Sequence, residues 1–73
     1  MHYDEFKLKV AARLKELRNK SGLTQEEISG LELHVRSYQK LESGVNAISL
    51  KSIYVLARRL DVHPSEFFDF EFR

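Results

Sequence analysis

The sequence predicts an all-α fold, a compact domain of five short helices, and three observations carry that prediction. Apolar residues recur at helical spacing in successive stretches. A glycine, a proline or a capping residue stands at each break between them. Period-two alternation occurs only in the terminal "FDFEF", and one such run cannot form a sheet by itself. With 73 residues the chain is read as one domain, 1–73, burying about 60% of its unfolded surface.

The first helix is expected from about Asp4 to Lys20, because Phe6, Val10, Leu14 and Leu17 recur at steps of four and three. Gly22 stands at its C-terminal cap. "TQEE" (Thr24–Glu27) has the capping-box form, Thr at the N-cap and Glu three residues later. It opens a second helix expected to end near Leu31, with Ile28 and Leu31 facing inward. "HVRSYQKLESG" (34–44) supplies the third helix, with Tyr38 and Leu41 on one face and Gly44 after its end. Ser49 caps a fourth, in which Ile53, Leu56, Ala57 and Leu60 form one stripe. "VHPSEFF" begins a last short helix, with His63 as cap, Pro64 at the first helical position and Glu66 in the first turn.

Composition narrows the function. Cysteine is absent, so neither a disulfide framework nor a thiolate zinc site is expected. No apolar run reaches the ~18 residues of a membrane span, and no secretory signal is read, so the expectation is a cytoplasmic protein without a membrane. His2, His34 and His63 lack metal-ligand spacing, and no phosphate loop or nucleophile elbow appears. No catalytic residue, metal or cofactor is therefore assigned.

Net charge is only +1, but charge comes in blocks. Residues 7–20 carry six Lys/Arg against one Glu, and 34–59 carry five against one. Residues 21–33 and 60–73 each sum to −3. Such alternation produces either a basic face or simply solvated helix surfaces.

The third helix bears on that choice. Arg36, Gln39, Lys40 and Ser43 share one face at i, i+3, i+4 and i+7, and Val35 borders it. Arg or Lys can donate to guanine O6 and N7, Gln can pair with adenine, and Val can meet a thymine methyl. A solvated polar face is the competing reading. Thr24-Gln25, at the N-terminus of the preceding helix, forms a natural phosphate anchor. Two short helices joined by a tight turn, the second outwardly polar, describe a helix-turn-helix over about 24–43.

"LTQEEISGLELHVRSYQKLESG" resembles the helix-turn-helix of the XRE/Cro-CI family of phage and bacterial repressors, and "SLKSIYVLARRLDVHPSEFF" is similar to the family's last two helices. The resemblance covers roughly residues 10–68. It implies a lambda-repressor-like five-helix domain that binds double-stranded operator DNA, usually as a homodimer. By resemblance, Thr24 and Gln25 stand where the family contacts phosphate, and Val35, Arg36 and Lys40 where it touches bases, with His34 at the helix cap beside them. Ser43 and Asn46 match positions that again grip phosphate, and Gln39 is left between a phosphate contact and a solvated side chain. Arg18 and Glu42 match a structural ion pair tying the first helix to the reading helix.

One departure stands out: between Gln25 and Glu42 the chain is one residue shorter than the family pattern, the shortage falling between Ser29 and Leu33. Gly30 or Glu32 takes the place of the turn glycine. Because the polar face and the Tyr38/Leu41 face stay in register, the expected site of absorption is the turn or the end of the second helix. The competing function is a protein-interaction module, or an antitoxin of the same fold bound to a toxin. Its basis is the apolar tail, in which Phe68, Phe70 and Phe72 are candidates for dimerisation or for a foreign partner.

Overall fold

The computed structural model describes residues 1–31 and 33–73. Among these, four α-helices and a closing 3-10 helix follow one another, with no strand: α1 (Tyr3–Ser21), α2 (Gln25–Ser29), α3 (Val35–Glu42), α4 (Leu50–Leu60), then the 3-10 helix Pro64–Phe68. The fifth helix of the sequence reading is thus a 3-10 turn. His63 caps it, Pro64 opens it, and it lasts only five residues before Asp69. Alternation in "FDFEF" produces no strand, since no described segment pairs with it.

All five elements share one core. α1 contributes Leu14 and Leu17, α2 Ile28, α3 Tyr38 and Leu41, α4 Leu56, Ala57 and Leu60, and the 3-10 helix Phe67. Each α4 and α1 residue named lies on the stripe predicted by its spacing. α1 packs against α3, α4 and the 3-10 helix, and α2 against α3 and α4.

The end of α2 departs from expectation. Helix geometry stops at Ser29, and Leu31 is fully exposed rather than buried. The cause is Gly30, whose φ of 55° and ψ of −145° lie in a region essentially restricted to glycine. This turns the chain two residues earlier than the apolar spacing suggests, and Leu33 packs on the core in place of Leu31. α2 is therefore shorter than expected, while α3 keeps its predicted inward face, with Tyr38 and Leu41 buried. Glu32, the other candidate for the turn position, lies outside the described residues. A Cβ at Gly30 would also come within 2.4 Å of the Arg59 guanidinium. Gly30→Ala is expected to cost about 1–3 kcal/mol of stability, read as a lowered urea midpoint; a midpoint equal to wild type would show that the turn relaxes freely.

Arg13 closes the back of the molecule, a role its sequence context did not suggest. Its Nε donates to the Glu66 carbonyl at 2.8 Å and its Nη2 to the Glu66 carboxylate at 2.7 Å, while Nη1 pairs with Glu16. The same end holds an aromatic cluster. Phe6 stacks on Phe68 at 6.3 Å between ring centroids and meets Phe70 and Phe72 edge-on at 5.7 Å. The tail is thereby folded onto α1, with Phe72 still 72% exposed.

Candidate nucleic-acid interface

α3 owes its two faces to its sequence. His34 sits at the N-cap with extended backbone, and its Nδ1 accepts from the Arg36 amide at 3.2 Å. Tyr38, Leu41 and Glu42 are buried, and Val35 is half-buried at the edge. Arg36, Gln39, Lys40 and Ser43 are exposed on the other side. Among the described residues, no hydrogen bond or ion pair engages the side chains of Arg36 or Lys40. Two long cations one turn apart thus project from a helix whose other face is core.

Both flanks of that face are held. At α2 the capping box is complete: Thr24 Oγ1 accepts from the Glu27 amide at 3.1 Å, and the Thr24 amide donates to the Glu27 carboxylate at 2.8 Å. The backbone hydrogen bond from Thr24 holds the Glu27 carboxyl below its ordinary pKa. After α3, Gly44 takes a left-handed conformation, and the amides of Val45 and Asn46 both donate to the Lys40 carbonyl, at 3.0 and 3.1 Å. Asn46 is exposed, and its backbone is tied to the last turn of the helix. The Ser43 hydroxyl donates to the Lys40 carbonyl at 3.2 Å and keeps acceptor capacity outward.

The anticipated Arg18–Glu42 pair is present and largely buried. Arg18 Nε and Nη2 donate to the two carboxylate oxygens at 2.8 and 2.9 Å, a fork-on-fork arrangement. Its Nη1 donates to the Leu23 carbonyl at 2.9 Å, so one guanidinium ties α1, the α1–α2 connection and α3 together. Burial pushes the Glu42 pKa upward, but hydrogen bonds led by Arg18 outweigh it, and the net direction is down. Reciprocally, the hydrogen bond to Glu42 holds the Arg18 pKa above its ordinary value despite desolvation.

The pair also reaches the surface, which was not anticipated. Gln25 Nε2 donates to Glu42 Oε1 at 3.2 Å, and Gln39 Nε2 donates to Gln25 Oε1 at 3.1 Å. The chain Arg18–Glu42–Gln25–Gln39 thus runs from interior to exposed face. Sequence periodicity carried no signal for it, because Gln25 and Gln39 meet across the turn rather than along one helix.

Tyr38 lies beside this chain. It is completely buried, and its hydroxyl finds no hydrogen-bond partner of acceptable geometry. Burial, then the nearby Glu42 carboxylate, pushes its pKa up, so the phenol stays neutral. Leaving such a hydroxyl unpaired is unfavourable, by about 1–3 kcal/mol. Tyr38→Phe is therefore expected to leave stability unchanged or raise it, as read by the thermal midpoint. A loss of 1 kcal/mol or more would mean that the hydroxyl is bonded in solution.

Three of the six cations of α1 are paired within the molecule. Arg13 pairs with Glu66, Glu16 and Asp69, Arg18 with Glu42, and Lys20 with Glu16. Half of the first basic block is thus neutralised within the molecule. No group of His, Asp or Glu among the described residues is arranged to hold a metal ion. No described helix is long and apolar enough to cross a membrane.

Comparison with known proteins agrees with this geometry. The model of a helix-turn-helix family matches residues 14–67, from the core of α1 to the buried Phe67. The crystal structure of the restriction-modification controller protein C.AhdI from Aeromonas hydrophila superposes with a TM-score of 0.87 at 35% identity, over 93% of this chain and 100% of that one. No match was found among curated proteins. The family match spans α2 and α3 and the helices that support them, and this chain belongs to the XRE-type helix-turn-helix family of DNA-binding transcriptional regulators.

Proposed function

We propose that this protein is a repressor-like regulator that reads operator DNA sequence-specifically by inserting α3 into the major groove. The observation that carries this reading is the outward face of α3, where Arg36 and Lys40 are exposed and their side chains meet no hydrogen-bond or ion-pair partner among the described residues. Arg36 and Lys40 read base edges, and Val35 meets an apolar base surface beside them. Thr24 and Gln25 at the start of α2, His34 at the start of α3, and Ser43 and Asn46 after it approach phosphates. The likeness to a restriction-modification controller protein supports the regulatory half of the reading.

The working unit is a homodimer acting on a two-fold operator in the cytoplasm, with half-site centres about 34–36 Å apart. Phe68, Phe70 and Phe72 supply apolar surface for the second copy, since their cluster with Phe6 leaves Phe72 largely uncovered.

Selection of bound sequences from a random duplex pool, together with sizing of the free protein, tests both parts. The expected result is a two-fold motif and a dimer mass. Affinity for the motif should fall with salt, with a logarithmic slope of about −0.9 per phosphate neutralised. No enriched motif at low salt, with salt-insensitive association to a protein, would replace this reading with an interaction module such as a toxin-binding antitoxin.

A further inference from the structure

Gln25 and Gln39 each carry an amide whose ends differ: the carbonyl oxygen accepts and the NH2 donates. A glutamine by itself does not decide which end faces which way. Here Glu42 decides. Its carboxylate, clamped by Arg18, only accepts. Gln25 therefore meets it with Nε2, 3.2 Å from Oε1. Gln25 Oε1 is left facing α3, and that oxygen also only accepts. Gln39 accordingly turns its own Nε2 toward it, at 3.1 Å. A buried charge has fixed the polarity of an exposed amide: what Gln39 has left to present is Oε1, with one N–H beside it.

We infer that Gln39 is a specificity-determining residue that reads adenine, its Oε1 accepting from N6–H and its remaining N–H donating to N7. This rests on the proposed entry of α3 into the major groove. Adenine is the base that sets an amino donor beside N7 in that groove, whereas guanine sets O6 there. Against guanine, Gln39 Oε1 would face a second acceptor with no proton between them. Rotating the amide to suit guanine would bring Gln39 Oε1 against Gln25 Oε1, and Gln25 cannot rotate in turn without placing its oxygen on the Glu42 carboxylate. On the same face as Gln39, Arg36 and Lys40 offer donors only. The three side chains therefore divide the groove: two seek acceptors, and the third, on the edge toward α2, seeks the donor. Gln25 is the positioning residue, acting through Gln39.

The experiment measures binding of wild type, Gln39→Ala and Gln25→Leu to the best sequence selected by the wild-type protein, and to that sequence with single base changes. One adenine per half-site is expected at which replacement by guanine weakens wild type by roughly 5- to 100-fold. Gln39→Ala should lose that discrimination and keep the rest. Gln25→Leu, with Gln39 intact but its amide free to turn, should lose much of the discrimination at that position, over and above the uniform loss on every sequence that its phosphate contact implies. A further arm needs no altered protein: replacing the adenine by purine, which lacks the 6-amino group, should weaken wild type by a comparable factor. The inference is overturned if Gln39→Ala loses affinity equally on every sequence, as a phosphate contact would, or changes nothing. It is also overturned if the relaxed position prefers guanine, if Gln25→Leu keeps full discrimination, or if purine binds as well as adenine. Failure of wild type to enrich any motif would instead remove the proposed function, and this inference with it.

Discussion

Replacing Glu42 by Ala is expected to lower the unfolding free energy by about 3–5 kcal/mol, enough to leave so small a domain largely unfolded near body temperature. The loss is large because of what stays behind. Arg18 remains in its shielded site with only the Leu23 carbonyl as a partner, and Gln25 loses the acceptor for its Nε2. Arg18→Ala strands the Glu42 carboxylate in the same way, at 4% side-chain exposure. Removing both partners together in an Arg18→Met/Glu42→Leu variant should cost clearly less than the two single losses summed, since no charge is then left unpaired. Urea unfolding of the four proteins checks this, and a loss under 1 kcal/mol for Glu42→Ala would show that the pair is solvated rather than structural.

Acid provides an independent check on the same pair. The folded-state pKa of Glu42 is depressed below its ordinary value of 4.5. A depressed carboxylate stabilises the fold fully above the unfolded-state pKa, and that stability is lost as pH falls through the folded-state value. Stability should therefore be flat with respect to Glu42 above about pH 5 and decline below pH 4.5. Glu27 in the capping box shifts in the same direction and adds to the decline. In Glu42→Gln the acid slope should be shallower; an unchanged slope would assign it to other carboxylates.

Replacing Arg36 and Lys40 together by Ala should abolish sequence-specific binding while leaving the fold intact. Arg36→Ala alone is expected to cost about 1–3 kcal/mol and to relax preference at one base pair. The double variant should lose about 2–5 kcal/mol, less than strict additivity allows because the two side chains are neighbours one turn apart. Stability should stay within about 0.5 kcal/mol of wild type, since both side chains are exposed and the structural hydrogen bonds of the two residues are made by their backbone groups, which Ala keeps. Equal losses on all DNA sequences would make the two residues phosphate contacts. A matching loss of stability would move them from the interface to the scaffold.

Much of this architecture was legible in the chain. The Leu14–Leu17 and Ile53–Leu56–Ala57–Leu60 spacings identified the core faces of α1 and α4 because a long helix repeats its buried position often enough to be read. "TQEE" identified the start of α2 because a capping box is a contact between residues three apart. α2 itself was less legible. Five residues contain little more than one turn, so Leu31 looked as suitable for the core as Leu33, and the conformation of Gly30 decided between them. The exposed face of α3 was readable from spacing alone. The link from Gln25 to Gln39 was not, nor was the Arg13 clasp on Glu66, because each joins residues that share no periodic pattern.

By itself the sequence determined which residues are helical, which helix carries an apolar face opposite a cationic one, and where capping chemistry begins each element. Those features depend on contacts within one or two helical turns, and local spacing records them. The tertiary structure alone decided that α2 ends at Gly30, that Arg13 of α1 pairs with Glu66 and Asp69 from the other end of the chain, and that a buried carboxylate orients an exposed amide on α3. The physical reason is directional: an ion pair or an amide hydrogen bond depends on where two distant side chains end up and which atoms they turn toward each other, and that is settled only when the helices pack.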